Sequence, residues 1–270
     1  GWSVPIIHCV APTVWAWGSW RAKKIATVMD GLFCLFPFEP DYFKPFGLDA
    51  HFIGHPDAFG NFLPAKPAGE TIKELRTKFN KIILLPGSRR SEISLILPEM
   101  LDAAAILKRH DPNLNFVLLA VPHLLPLIQN LVEGSGVTIL DQPEDLVPAL
   151  QTSDAMIATS GTITLQAALC GTVGVTCYLT GAFSGFIGRR LVDLDKVILP
   201  NAILGRPLYP FYFQEAAAGK TLAAATLDCL YDANAKSSAR HAAIELKSLL
   251  TGGAQSFDEL VIRALKNWLD

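Results

Sequence analysis

The sequence predicts an α/β fold organised around a doubly wound parallel sheet. From Lys81 onward short β-rich runs alternate with stretches that carry apolar residues at helical spacing, and strands joined by crossover helices pair in parallel. Half of the 270 residues are apolar, enough for a sizeable core in one large or two modest domains. The first 56 residues repeat the alternation on a smaller scale. The expected class is therefore a partial N-terminal α/β domain, a complete doubly wound C-terminal domain and a helical tail.

The small unit, residues 1–56, has expected strands near Ile6 to Val10, Gly31 to Leu35 and His51 to Ile53, with helical stretches around Ser19 to Met29 and Pro40 to Phe46. Pro56, Pro64 and Pro67 punctuate a polar linker over 57–80. The large unit, 81–219, has expected strands at Ile82 to Leu85, Phe116 to Val121, Val137 to Leu140, Ala155 to Ala158 and Val173 to Tyr178. Helices are expected at Ile93 to Lys108, Leu124 to Val132, Glu144 to Leu150 and Ile163 to Leu169. The tail, 220–270, reads as three packing helices over Thr221 to Tyr231, Ser237 to Leu250 and Phe257 to Leu269. In such sheets ligands bind beyond the carboxyl ends of the strands.

A formal net charge of −2 gives no electrostatic reason to expect nucleic acid, whose phosphates demand a basic excess. Cys9, Cys34, Cys170, Cys177 and Cys229 are odd in number and lack C-x-x-C spacing, a pattern suited to a reduced cytosol. His51 and His55 have the i, i+4 spacing of a zinc pair, but Gly54 and Pro56 oppose a helix there, and no metal site is expected. No apolar run reaches the roughly 18 to 20 residues that cross a bilayer, and no charged segment leads into a signal-peptide core. The chain enters a buried-strand pattern within a few residues of Gly1, so an earlier start is expected for the natural domain.

Two segments carry chemistry. Leu84-Leu85-Pro86-Gly87-Ser88-Arg89-Arg90-Ser91-Glu92-Ile93 reads as a strand, a glycine turn, two arginines and a helix start with Ser91 as N-cap. The free N–H groups and positive dipole end of that helix, with an arginine beside them, suit a phosphate; the alternative is a tight turn with solvated arginines. Ala158-Thr159-Ser160-Gly161-Thr162-Ile163-Thr164-Leu165-Gln166 repeats the arrangement, with Gln166 one turn in and able to meet a ribose; here the alternative is an ordinary N-cap. Two such loops on one sheet fit a nucleotide diphosphate, and neither follows the Walker lysine or G-x-G-x-x-G pattern.

Together with Ala11-Pro12-Thr13-Val14-Trp15-Ala16-Trp17, Phe36-Pro37-Phe38-Glu39, Phe52-Ile53-Gly54-His55-Pro56 and Leu199-Pro200-Asn201, these segments fall in the order and spacing of lipid-A-disaccharide synthases. The resemblance runs from about Val10 to the end of the helical tail. It implies a two-domain GT-B fold, no metal or other cofactor, and an inverting glycosyl transfer. UDP-2,3-diacylglucosamine and 2,3-diacylglucosamine 1-phosphate would give the β-1,6-linked lipid A disaccharide 1-phosphate and UDP. It also implies a peripheral site on the cytoplasmic face of the inner membrane, and it leaves the oligomeric state open, a homodimer included.

By position, Gly87, Ser88 and Arg89 resemble the family's donor-phosphate loop, and Ser160, Gly161 and Thr162 its second nucleotide loop, with Gln166 at the ribose position. Asn201, Gln214 and Glu215 resemble a polar group lining the cleft. Arg89 is the expected catalytic cation, stabilising charge on departing UDP as a metal does in other transferases; Arg90 is read as a solvated neighbour. Gln166 stands where the family usually has Glu, Val173 where it has Pro, and Phe211 where Glu follows Pro210. The family's N-terminal glycine-rich loop and the acidic motif with its proposed general base have no counterpart here, so the chain alone is expected to bind donor without turnover. Glu39, the nearest acidic candidate, reads as part of a turn. Trp2, Trp15, Trp17 and Trp20 beside Arg21, Lys23 and Lys24 suit either a membrane interface or core packing. Two other readings stay open: a different UDP-sugar GT-B enzyme, such as a lipid II-forming transferase or a non-hydrolysing epimerase, and a catalytically dead UDP-sugar-binding fragment.

Overall fold

The computed structural model describes residues 4–16, 18–60, 62, 81–181 and 197–269. Trp2, Trp17 and most of the expected 57–80 linker lie outside the described residues. In the small unit β1 (Ile7–Cys9), β2 (Gly31–Cys34) and β3 (Asp49–Phe52) pair in parallel in that order. The middle strand is buried at every position, as an apolar strand covered on both faces must be. Helices α1 (Arg21–Ile25), α2 (Pro40–Phe43) and α3 (Pro56–Phe59) alternate with the strands.

Two of these helices are shorter than the sequence suggested. After Ile25 the α ladder narrows into three-residue turns, Thr27 N–H to Lys24 O and Val28 N–H to Ile25 O, and the Thr27 hydroxyl donates to the same Lys24 carbonyl. Pro45 has no N–H to carry α2 onward, so Lys44–Phe46 tightens into a 3₁₀ turn that Gly47 ends at φ 77°.

The large unit holds β4 (Lys81–Leu85), α4 (Arg90–His110), β5 (Asn115–Leu119), α5 (Leu125–Val132), β6 (Thr138–Leu140), α6 (Leu146–Thr152), β7 (Ala155–Thr159), α7 (Thr162–Leu169), β8 (Gly174–Tyr178), α8 (Leu199–Leu204) and β9 (Phe211–Phe213). All six strands are parallel, in the order β6-β5-β4-β7-β8-β9. The sheet therefore grows outward from β4 in one direction and from β7 in the other. Three details differ from the sequence reading. β5 stops at Leu119, because Pro122 opens a 3₁₀ turn. β9 is an additional strand, too short for alternation to reveal. The Leu199-Pro200-Asn201 motif opens a helix, with Pro200 in its first turn and Gly205 ending it at φ 65°.

Each face of the large sheet has its own core. Ile82, Leu84, Ile157 and Val175 pack against Ile93, Ile96, Leu97, Met100 and Leu222. On the other face Ile83, Leu85, Met156 and Ala158 meet Leu165, Leu169, Ile203, Leu246 and Leu250. Trp15, with Phe36 and Phe38 in edge contact, reaches this second core from the small unit. Trp15 is thus buried, while Trp20 stays 74% exposed.

The three last helices join three different surfaces. α9 (Gly219–Tyr231) covers the first face alongside α4, and the Glu99 carboxylate of α4 accepts the Gly219 N–H at 2.8 Å, at the positive end of the helix. Asp102 occupies the space a Cβ on Gly219 would need. α10 (Ala233–Thr251) starts at Asp232, whose side chain accepts the Asn234 N–H, and covers the second face. α11 (Phe257–Leu269) crosses back to the small sheet, where Leu260 and Ala264 pack on Phe33 and Ile53. The Trp268 indole fills the place of a side chain on Gly31.

Candidate functional site

The loops after β4 and β7 lie side by side, because those two strands are adjacent and in register, Leu85 opposite Ala158. This is where the strand order changes direction, the crevice position for ligands of open parallel sheets. Gly87 has φ 101°, and a Cβ there would lie 2.7 Å from Glu92 Oε2 and 3.1 Å from Thr159 Cγ2. Only glycine fits. Gly161 has φ 148° with open space in front of it, so its backbone is accessible from the crevice. The sequence motifs Gly87, Ser88 and Arg89 and Ser160, Gly161 and Thr162 are brought together at this one edge.

Local details differ from the sequence reading. Helix α4 begins at Arg90, with Arg89 in the N-cap position at extended φ and ψ and no side-chain cap. Ser91 sits inside the first turn and is not the cap. The Arg89 side chain is 74% exposed, and its Nη1 donates to Glu92 Oε1; that carboxylate raises the Arg89 pKa and holds the guanidinium charged. Glu92 is buried and also accepts the Tyr178 hydroxyl at 3.3 Å from the end of β8. At the second loop Gly161 caps α7, and its carbonyl receives both the Thr164 N–H and the Thr164 hydroxyl. Thr159 is 3% exposed, and its Oγ1 has no hydrogen-bond partner among the described residues. An enclosed hydroxyl without a partner is rare enough to mark this place, beside the Gly87 turn, as one where a ligand or water contact would be gained.

Gln166 donates from Nε2 to Asp57 Oδ2 at 3.1 Å, tying α7 to α3 of the small unit. The amide can pair with the Asp57 carboxylate, which a second carboxylate at this position would repel. His55 Nδ1 accepts the Asp57 N–H, which places the imidazole proton on Nε2. Burial lowers the His55 pKa, opposed by Asp57, and the ring stacks on Phe36 at 5.6 Å.

The remaining expected residues sit on α8 and in the short turn after β9. Asn201 Oδ1 accepts the N–H groups of Leu208 and Tyr209, and its Nδ2 donates to the Tyr209 carbonyl; its amide clips the turn leading into β9. Gln214, at φ 55°, exchanges two 3.1 Å hydrogen bonds with the Thr180 backbone. With Glu215, Glu99, Leu179, Thr180 and Ala218 it lines a cleft of about 310 Å³. Glu39 is enclosed: Oε2 accepts the N–H groups of Leu35 and Phe36, and Oε1 accepts Trp15 Nε1–H at 3.3 Å. Burial pushes its carboxyl up to about 7 against these bonds. Glu92, Thr159, Tyr178 and Asp57 are not singled out by the sequence as site residues, although the first two stand inside motifs that are, and His55 enters the sequence reading only as half of a zinc pair with His51 and as part of the Phe52 to Pro56 motif.

Among the described residues no three His, Cys, Asp or Glu side chains gather as a metal-binding group, and no helix is long and apolar enough to cross a membrane.

Comparison with known proteins places this geometry in a lineage. In the solved structures a putative UDP-N-acetylglucosamine 2-epimerase from Listeria monocytogenes aligns with TM-score 0.59 and 13% identity, over 98% of this chain and 67% of its own. Anabaena Alr3699/HepE in complex with UDP-glucose aligns with TM-score 0.54 and 11% identity, over 98% and 72%. These likenesses establish a GT-B type fold. The lipid-A-disaccharide synthase of Burkholderia thailandensis is 38% identical over 237 residues, 86% of this chain and 61% of the relative. The chain thus spans about three fifths of that relative's length. The family model described as lipid-A-disaccharide synthetase matches residues 1–263, and the chain belongs to that family.

Proposed function

We propose that this chain is the donor-binding part of an inverting UDP-sugar glycosyltransferase that makes lipid A disaccharide 1-phosphate. The observation that carries the reading is the pairing of the Gly87 and Gly161 loops at the strand-order reversal between β4 and β7. Two backbone approaches, two helix starts and one guanidinium converge there, a combination suited to a diphosphate. The donor is UDP-2,3-diacylglucosamine and the acceptor 2,3-diacylglucosamine 1-phosphate. In the transfer the acceptor hydroxyl bonds to the donor anomeric carbon as the bond to UDP breaks, and the hydroxyl proton passes to a base. Arg89 stabilises the charge developing on departing UDP. The base is expected from an acidic motif without a counterpart in this sequence, so the chain as it stands binds donor without turnover. The acylated substrates place the reaction at the cytoplasmic face of the inner membrane, and exposed Trp20 beside Arg21, Lys23 and Lys24 supports a peripheral contact there.

Titration calorimetry with UDP, ADP and GDP tests the donor assignment. UDP is expected to bind at least tenfold more tightly than either purine nucleotide, and equal affinity for all three refutes it. A second reading, a UDP-sugar-binding protein without catalysis, is favoured by the neutral Gln166 already engaged with Asp57. Transfer assayed after adding the N-terminal segment of a relative separates the two: metal-independent product formation supports the enzyme, and donor binding without product supports the alternative.

A further inference from the structure

We infer that Glu92, seconded by Tyr178, is a positioning residue that holds Arg89 in its diphosphate-facing conformation before any ligand arrives. The inference rests on the donor reading above. An arginine 74% exposed at the tip of a glycine turn ordinarily samples many rotamers, and ordering it on binding weakens affinity. Here its Nη1 is fastened to Glu92 Oε1, and that same oxygen accepts the Tyr178 hydroxyl. The carboxylate itself has little freedom. Glu92 is 6% exposed, lies in the first turn of the 21-residue helix α4, and has its other oxygen against the Gly87 backbone, closely enough to exclude a Cβ there. The anchor is therefore built into three elements at once: the β4 loop, the start of α4 and the end of β8.

Glu92 is charged and close to where a diphosphate would sit, so the opposite outcome is easy to imagine: its removal could relieve repulsion. The geometry argues against this. The carboxylate is compensated on one side by the guanidinium and by the positive end of α4, while the guanidinium's remaining N–H groups stay uncommitted, among the described residues, on an exposed side chain. A fork gripped by one nitrogen presents the others in a fixed direction.

The test uses the full chain in two arms. In the first, ¹⁵N relaxation of arginine Nε–Hε groups is measured without nucleotide, with Arg89→Ala and Arg90→Ala used to assign the two signals. Arg89 is expected to be ordered and Arg90 mobile in the unmodified chain. Glu92→Gln should bring Arg89 close to the mobility of Arg90, and Tyr178→Phe should loosen it less. An Arg89 that is as mobile as Arg90 from the outset, or equally ordered in Glu92→Gln, overturns the inference. In the second arm UDP and inorganic pyrophosphate are titrated. Glu92→Gln should weaken binding by about three- to tenfold, the range for ordering one long side chain, and should have no further effect in an Arg89→Ala background. Tighter binding on Glu92→Gln, or an equal loss in both backgrounds, also overturns it. Unfolding curves confirm that each variant is folded, and Tyr178→Phe, which removes only a hydroxyl, carries the test if Glu92→Gln is not. Should the unmodified chain bind no UDP, the donor reading fails, while the relaxation arm still decides whether Glu92 holds Arg89.

Discussion

Replacing Glu39 by glutamine removes a titration that the fold makes expensive. The carboxyl is 3% exposed and its pKa is raised from the usual 4.5 to about 7, with burial the main cause and the bonds from Phe36, Trp15 and Leu35 opposing it. A folded-state pKa raised above the unfolded value means that the native protein binds the proton more tightly. The associated stability is fully present below about pH 4.5 and is lost as pH rises through about 7. At about 1.4 kcal/mol per pH unit, the displacement corresponds to about 3 kcal/mol across that window. For a chain of this size it corresponds to roughly 6 to 12 °C in Tm. The Glu39→Gln variant would not titrate. Its amide keeps an oxygen for the Leu35 and Phe36 N–H groups but turns an NH₂ toward the Trp15 indole N–H, a mismatch costing about 1 to 3 kcal/mol at every pH. The Tm of both proteins, followed by circular dichroism from pH 4.5 to 8, should therefore show the unmodified chain ahead at acid pH and its lead shrinking toward neutrality. A lead that stays constant across the range would falsify the assignment of that titration to Glu39.

Three further outcomes follow from individual contacts. Gln166→Glu places a carboxylate against Asp57, so it should lower Tm at pH 7.5 and low ionic strength by a few degrees, and added salt should recover part of the loss; a loss independent of salt contradicts the pairing. Thr159→Val removes a hydroxyl that has no partner among the described residues, so Tm should hold or rise while UDP affinity falls by about threefold or more, the worth of one hydrogen bond; unchanged affinity in calorimetry excludes a ligand role. Gly219→Ala forces a methyl onto Asp102 beside the Glu99 bond, and urea unfolding should register a loss of about 1 to 3 kcal/mol; a neutral substitution would show that α4 and α9 are free to separate.

The fold was legible where the signal is repeated. Each strand-helix alternation after Lys81 points to the same parallel sheet, so errors at single boundaries do not accumulate, and the two glycine loops announce themselves by residue type. The parts that stayed hidden depend on partners distant in sequence. Tyr178 gains meaning only because β8 delivers its hydroxyl to Glu92, 86 residues earlier, and Gln166 only because Asp57, 109 residues away, faces it. Three-residue β9 is too brief to show a period, and its edge position is fixed by pairing with β8. The same limit applies to Asn201, whose place in a motif suggests a ligand contact while its amide groups close a local turn.

The return of α11 to the small sheet has a consequence for how this polypeptide is made. Gly31 meets Trp268, a contact spanning more than two hundred residues, and Phe33 and Ile53 gain Leu260 and Ala264 only from the same late helix. On a ribosome, β1 to β3 emerge about two hundred residues ahead of α11 with one apolar face bare, and they stay so until that helix has been synthesised. Closing so long a loop adds little to its entropic cost once formed, but it is slow to find, and exposed strands are hazardous in the interval. Efficient production should therefore depend on a holding chaperone during that interval, and a stop codon before Phe257 should send the early strands, intact in sequence, into aggregates.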